Sequence, residues 1–477
     1  MTLYSVPYAG RTGSCTSQER TMFSLKDILD ATGGTLCSGT HKMRFSGVSI
    51  DSRTVRPKEI FLAIRGQNFD GHDYISQAVG QGAAGVVFSD PAKAPSFRKD
   101  VAGVQVPNTV MALGALARYH RERFDIPVIA ITGSSGKTTT KEMVAWVLGA
   151  KYEVHKNHGT QNNLIGVPLT LLSIHSKHDL CVIEMGTNRK GEIHRLTQIA
   201  QPNVGLITNI GPAHLEFLEN LKGVYKEKIE LVRNLAAPGI ALLNKSDIAL
   251  AKLSRVRTRP IFFYGINRDC EFNATEINYK PDGITFLLNN AHVMEIKHAA
   301  LHNVSNAMAA IGCGLLFGLD IGTIRERIRT FDSPEMRLKE IRLKDCVVID
   351  DSYNSNPQSL KQAIDVLCRH APAGRRILVM GDMMELGDKS QEFHVYFGNY
   401  ISKKPIDLLI TMGSCSRWTS ESARKCGMRS EAVFHADDCP QVLEFLGAQV
   451  RAGDILLVKG SRCMKMERIV GYFKERG

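Results

Sequence analysis

Short unbroken apolar runs recur along the chain, and stretches with helical spacing separate them. The runs at Ile60–Ile64, Gly85–Phe88, Pro127–Thr132, Leu180–Glu184, Val204–Ile207 and Ile240–Leu243 have the length and composition of buried strands. So do Cys346–Asp350, Arg376–Met380, Asp407–Thr411 and Asp454–Val458. Val48–Arg53 alternates and reads as a strand that ends in polar residues. Between the runs, Ser24 stands as a capping residue before Leu25–Leu29, and Val110–Phe124 is rich in Ala and Leu. Lys141–Leu148 puts Met143, Val144, Val147 and Leu148 on one helical face. Alternating strands and helices predict α/β architecture with mainly parallel sheets covered on both sides.

The pattern divides into blocks. Residues 1–20 are polar, lack the apolar core of a signal peptide and read as a disordered lead-in. Three domains follow: a small N-terminal α/β domain over 21–110, a central domain over 111–333 and a C-terminal doubly wound, Rossmann-like domain over 334–477. The punctuation Asp332-Ser333-Pro334 marks the last boundary. The length of 477 residues suits about three domains.

Composition removes other classes. A hydrophobic fraction of 43% and a charged fraction of 23% describe a globular chain, not a disordered or collagenous one. The longest apolar stretch, Met308–Leu319, is too short for a membrane span. The eleven cysteines include no C-x-x-C pair and no zinc spacing, the usage of reduced thiols in a cytoplasmic protein. The net charge of +12 is spread over all three domains, with no basic tail or block. That diffuse excess fits anionic small molecules better than a nucleic-acid face.

Candidate chemistry sits on the loops after the strands. Gly133-Ser134-Ser135-Gly136-Lys137-Thr138-Thr139 follows a buried strand and opens a helix. Its N–H groups and helix dipole suit phosphate, Lys137 suits the outer phosphates, and Thr138 suits Mg²⁺. Only two residues separate the glycines, where the common phosphate loop has four. Glu184, at the end of a neighbouring run, reads as a metal-binding carboxylate or as a helix cap. His214 reads as a metal or phosphate contact or as a hydrogen-bonded loop histidine. Lys228, in a helical segment, reads by default as a solvated surface residue. Polar clusters at Asp350–Pro357, Gly381–Gly387 and Lys459–Arg462 also follow strands, where open α/β sheets bind ligands.

Together these segments resemble the Mur ligase family of ATP-dependent amide-forming enzymes. The resemblance is carried by TGSSGKTTTKEM (132–143), NHGTQNNLIGVP (157–168), VIEMGTNRKGEI (182–193), TNIGPAHLEFL (208–218), LHNVSNAMAA (301–310), DDSYNSNPQSL (350–360), GDMMELG (381–387) and VKGSRCMKMERIV (458–470). They stand in family order across nearly the whole chain, and the family uses the shortened glycine loop. The resemblance implies an ADP-forming ligase of cytoplasmic peptidoglycan precursor synthesis. It would join D-alanyl-D-alanine to UDP-N-acetylmuramoyl-tripeptide through an acyl phosphate. It implies ATP bound by Gly133, Ser134, Ser135, Gly136, Lys137, Thr138, Thr139, Asn303, Arg337 and Asp351. It implies two Mg²⁺ held by Thr138, Glu184, His214 and a carbamylated Lys228, with Lys137, Lys228, His214 and Glu184 as the catalytic set. Ser52 and Arg53 would hold the uridine diphosphate, Thr160, Asn162 and Asn163 the muramoyl-peptide, and Asn354 and Asn356 the dipeptide. The expected protein is a monomer without nucleic acid or membrane span. A family ligase that adds a single amino acid, a folylpolyglutamate-type ligase and a nucleotide-gated binding protein are the readings it has to beat.

Overall fold

The computed structural model describes residues 21–66, 68–255, 259–280, 283–297, 300–370 and 373–476. The lead-in expected over 1–20 lies outside the described residues.

The first sheet has five strands: β1 (Thr35–Ser38), β2 (Gly47–Ser49), β3 (Glu59–Leu62), β4 (Gly85–Phe88) and β5 (Ala102–Gln105). Their order is β1-β5-β4-β3-β2, with β1 antiparallel to β5 and the other pairings parallel. Helix α1 (Leu25–Thr32) begins at the Ser24 cap, where Ser24 and Asp27 bond each other's backbone N–H. The strand expected over 48–53 stops at Ser49. Ser49 Oγ and the Asp51 carboxylate turn the chain, Asp51 Oδ1 accepting from the Arg53 N–H at 3.0 Å. Side-chain bonds of this kind compete with a strand ladder for the backbone.

Helix α2 (Thr109–Glu122) then leads into a nine-stranded sheet. Its strands are β6 (Val128–Thr132), β7 (Val154–Lys156), β8 (Leu180–Glu184), β9 (Val204–Ile207), β10 (Ile240–Asn244), β11 (Ile261–Ile266), β12 (Phe272–Lys280), β13 (Gly283–Leu288) and β14 (His292–Lys297). The order is β14-β13-β12-β11-β10-β9-β6-β8-β7, parallel from β7 to β12, with β13 and β14 antiparallel. One face packs on α3 (Lys137–Leu148) and α7 (Leu301–Leu316) through Val144, Leu148, Val304 and Met308. The other packs on α2, α4 (Gly166–Leu172), α5 (Glu192–Ala200) and α6 (Leu221–Arg233). That second core continues through Leu113 and Leu116 of α2 to Phe23, Ile60 and Val104, so it joins the first two sheets.

The third sheet comprises β15 (Lys339–Arg342), β16 (Cys346–Asp351), β17 (Arg376–Gly381), β18 (Leu408–Met412), β19 (Val433–Ala436) and β20 (Asp454–Lys459). Its order is β15-β16-β20-β17-β18-β19, parallel except for edge strand β15. The carboxyl ends of β16, β20 and β17 therefore lie side by side. Leu215, Leu218 and Val224 of the central region are buried with Ile349, Leu378 and Leu386 in one cluster, which seats this sheet on the second.

The start of β20 is fixed by charge. Asp454 is buried, and it accepts from the N–H groups of Arg375 (2.8 Å) and Arg451 (2.9 Å) and from the Arg375 guanidinium at 2.8 Å. Burial alone would raise its carboxyl pKa, but Arg375 and the two N–H groups outweigh it and hold the group below the usual carboxylate range. A lowered pKa stabilises the fold above the unfolded value, and that stability is lost as pH falls through the folded value. Asp454→Asn should therefore cost about 3 kcal/mol at pH 7. Its deficit against the native protein should shrink on acidification below about pH 4. Denaturant unfolding at pH 7 and pH 3 measures both; an equal deficit at the two would refute the charge argument.

Candidate active site

The loop from Gly133 to Lys137 turns where side chains would not fit. Gly133 has φ 153, and a Cβ on it would stand 1.9 Å from Thr208 Oγ1. Gly136 has φ 77, and its Cβ would meet Asn306 Oδ1 at 2.8 Å. The loop is pinned from β9. Thr208 Oγ1 and Asn209 Nδ2 donate to the Ser135 carbonyl at 2.6 and 3.1 Å, and the Ser135 N–H donates to Asn209 Oδ1 at 3.0 Å. Ser134 Oγ accepts from the Gly211 N–H and donates to the Gly211 carbonyl, both at 2.9 Å. Lys137 opens α3, and its Nζ donates to the Gly133 carbonyl at 2.9 Å. Burial and the Arg337 cation lower its pKa, while Glu184 and Glu385 oppose them.

Glu184 ends β8, adjacent to β6, and is 1% exposed. Asn162 Nδ2 donates to its Oε1 at 2.7 Å, whereas its buried Oε2 has no hydrogen-bond partner. A buried carboxylate oxygen left without a donor is costly, and a cation is the natural remedy. His214 lies on the loop after β9, with Nδ1 2.6 Å from Glu385 Oε2, a close ion-pair contact that is not aligned as a hydrogen bond. That ring holds the Glu385 carboxyl below its ordinary range, with Lys137 assisting and burial opposing.

Lys228 is not at the surface. It sits on α6 at 1% exposure, with no hydrogen-bond partner for its amine among the described residues. Burial, reinforced by repulsion from Lys137 and only partly offset by Glu227, lowers its pKa well below the ordinary lysine value. Glu227 gives it no ion pair, since that carboxylate accepts from the N–H groups of Gly191 (2.7 Å) and Ile193 (2.8 Å) at the start of α5.

A cleft of about 520 Å³ gathers most of the sequence candidates. Ser134, Ser135, Gly136, Lys137, Thr138, Thr139, Thr160, Asn162, Asn163, Glu184, His214, Asn303, Arg337, Asp351, Asn354 and Asn356 all line it. Several already have partners. Arg337 donates to Thr138 Oγ1 at 3.3 Å and lies 4.1 Å from the Tyr353 ring centre. Asp351 is paired with the buried Lys459 at 2.5 Å, and Lys459 also donates to the Asn354 carbonyl at 2.9 Å. Asn163 Oδ1 accepts from the N–H groups of Ile165 and Gly166 at the start of α4. Asn356 caps the helix α8 (Pro357–Arg369), and its Nδ2 donates to the Ser134 carbonyl at 3.3 Å. Asn303 Oδ1 accepts from Asn306, which accepts in turn from Thr140.

Ser52 and Arg53 stand apart from the cleft. Ser52 Oγ donates to Gln77 at 2.9 Å, and the Arg53 fork grips Asp51 at 2.9 and 2.7 Å. Sequence reasoning assigned no role to Thr208, Asn209, Asn306, Tyr353, Glu385 or Lys459 individually. Tyr353 donates to Thr160 Oγ1 at 2.5 Å and so links the third sheet to the loop before α4. Glu385 and Lys459 lay within polar clusters already noted at strand ends, and that position was the available signal. The ten described cysteines are all free. No described helix is long and apolar enough to cross a membrane.

Comparison with known proteins covers the chain in three pieces. The family models for the Mur ligase family catalytic domain, the Mur ligase middle domain and the Mur ligase glutamate ligase domain match residues 44–121, 131–314 and 336–462. The UDP-N-acetylmuramoyl-tripeptide–D-alanyl-D-alanine ligase of Bacillus subtilis (strain 168) is 33% identical over 94% of this chain and 97% of its own length. The Escherichia coli (strain K12) protein of the same name is 32% identical over 95% and 99%. A crystal structure of MurF from Acinetobacter baumannii superposes with a TM-score of 0.85 at 30% identity, covering 95% of this chain and 99% of that one. MurF ligase from Thermotoga maritima in complex with ADP gives 0.80 at 26%, covering 90% and 98%. With family models spread across the five-, nine- and six-stranded sheets and relatives of these identities matched almost end to end, the chain belongs to the Mur ligase family and is of the MurF type.

Proposed function

We propose that this protein joins D-alanyl-D-alanine to UDP-N-acetylmuramoyl-tripeptide, with ATP as the energy source. The carrying observation is that one cleft holds the phosphate loop, the unpartnered Glu184 oxygen and the polar strand ends of the third sheet. The reaction needs this combination. A peptide carboxylate is a poor electrophile at neutral pH. Attack of its oxygen on the γ-phosphorus of ATP releases ADP and gives an acyl phosphate. The free amine of the dipeptide then attacks the acyl carbon, phosphate leaves with the C–O electron pair, and the amine's proton passes to solvent.

Two anions meet in the first step, so the residues around them have to neutralise charge. Lys137 and Arg337, which both line the cleft, supply positive charge to the phosphates. Loop N–H groups and the start of α3 add positive potential. Asn303 and Asp351 border the nucleotide, and Thr160, Asn162 and Asn163 the muramoyl-peptide. Asn354 and Asn356 border the incoming dipeptide. Ser52 and Arg53 take the uridine diphosphate on residues 21–110, while 111–333 hold ATP and 334–477 the amine. Arg53 would exchange its Asp51 fork for a phosphate, a bidentate geometry its guanidinium favours. Packing of the third sheet against the second keeps water from the acyl phosphate.

The residues present also suit Mg²⁺. Thr138, Glu184, His214 and a carbamate on Lys228 would hold two ions, whose chemistry is to neutralise phosphate charge as hard Lewis acids. An ammonium at Lys228 would repel such ions. Its lowered pKa favours the neutral amine that attacks CO₂, forming an N–C bond and releasing one proton. The product is an anionic oxygen donor in place of the amine.

An ADP-release assay with exchanged amines tests the reaction. Turnover is expected with D-alanyl-D-alanine and little with single amino acids; the reverse preference would identify another ligase of the family. Lys228→Ala should lower kcat by roughly 10²–10³-fold or more, the scale of losing an electrostatic stabiliser. Acetate or formate, filling the space left, should restore part of the activity. Full activity in the alanine variant would end the carbamate proposal.

A further inference from the structure

Glu385 does not belong to the sheet that carries the phosphate loop. It stands on the loop after β17, in the third sheet, yet its Oε2 lies 2.6 Å from Nδ1 of His214 on the loop after β9. Both residues hold left-handed backbone, φ 62 at Glu385 and φ 54 at His214. Neither is glycine, so each conformation persists only where the surroundings enforce it. The surroundings do so along both loops. The Glu216 N–H donates to the Glu385 carbonyl at 3.2 Å. Gly387, itself at φ 56, lies so close that a Cβ there would be 3.2 Å from Glu216 Cα. Leu215 and Leu218 are buried with Met383 and Leu386 in one cluster.

We infer that Glu385 is a positioning residue for His214: its carboxylate fixes the imidazole through Nδ1 and leaves Nε2 as the nitrogen that serves the cleft. The inference rests on the ligase reading above and deepens it. A carboxylate held against one ring nitrogen restrains the ring and leaves the other nitrogen to face the cleft. Here the two partners come from different sheets. The histidine of the ATP side is therefore fully oriented only when the third sheet is docked, which ties assembly of the phosphate site to the seating of the amine-binding region.

Glu385 could instead act on its own, holding the ammonium of the incoming dipeptide, and a kinetic cycle separates the two. Full-length Glu385→Ala, His214→Ala and the double variant are assayed with D-alanyl-D-alanine, and ADP affinity is measured calorimetrically with and without Mg²⁺. Positioning predicts that Glu385→Ala lowers kcat by about 10–100-fold. It also predicts a dipeptide KM within about threefold of native, a smaller gain in ADP affinity on adding Mg²⁺, and no further loss in the His214→Ala background. Multiplicative losses, or a raised dipeptide KM with the Mg²⁺-linked gain intact, would overturn it in favour of the ammonium role. Thermal unfolding checks each variant. Where the alanine variant does not fold, the near-isosteric Glu385→Gln carries the same expectations. A native protein that ignores the dipeptide would sink the ligase reading alone, because the ADP measurement still reports on Glu385.

Discussion

The site depends on a steric condition at two positions. The chain has to pass from β6 into α3 beneath Thr208 and Asn306, and there is no room for a Cβ at Gly133 or Gly136. That close approach lets Thr208 and Asn209 hold the Ser135 peptide from both its carbonyl and its N–H. A loop pinned in this way does not need a phosphate to keep its shape. Placement of Lys137 and Thr138 at the start of α3 then comes directly from where the turn ends.

Four lysines, of which Lys137 and Lys459 line the cleft, show how environment changes one side chain. Lys141, fully buried on α3, donates to the carbonyls of Asn157 and Gly159 at 2.7 and 3.1 Å and lies 2.9 Å from Glu142, so it secures the loop bearing Thr160 and Asn162. Lys459 is equally buried and is neutralised by Asp351, which ties the ends of β16 and β20 together. Lys137 has one neutral carbonyl as partner. Lys228 has none among the described residues, although it is as buried as Lys459. Burying an unpaired ammonium is costly, and burial with repulsion from Lys137 pushes the Lys228 pKa well below the ordinary lysine value. The first two lysines have their charge satisfied by carboxylates and carbonyls; the last two do not.

Much of the framework was legible because buried parallel strands announce themselves as short apolar runs, and the phosphate loop as glycines between a strand and a helix. The antiparallel strands β12, β13 and β14 were not. Phe272 and Ala274 point inward while Asn273 and Thr275 do not, so the stretch has no continuous apolar run, and it received no strand assignment. Edge strands β15 and β19 escaped for a similar reason, being short and only partly buried. Spacing alone would have left Lys228 on the surface; only the family resemblance singled it out, because burial of one helix face against a distant loop is a tertiary fact. The pair Glu385 and His214 lies further still from the sequence. Its residues are 2.6 Å apart in space on loops of two different sheets, and no periodicity connects them.

The distribution of bonds within the cleft also says which of them a nucleotide would displace. Thr208, Asn209 and Ser134 hold the loop by a set of mutually supporting bonds, and losing any one would leave a buried polar group unpaired. The bond from Lys137 to the Gly133 carbonyl is different. It joins a cation to a neutral acceptor, whereas the same cation on a phosphate oxygen would make a stronger, charge-assisted bond. Arg337 is in the same position, with a hydroxyl and an aromatic face as its partners. The two cations therefore have their weakest commitments where the anions of the substrate would sit. The scaffold around them is bound by groups that have no reason to exchange. A diffuse surplus of +12 over the chain contributes little to this beyond a mild attraction for polyanions. Lys137 and Arg337 are cleft cations whose present partners are a neutral carbonyl, a hydroxyl and an aromatic face.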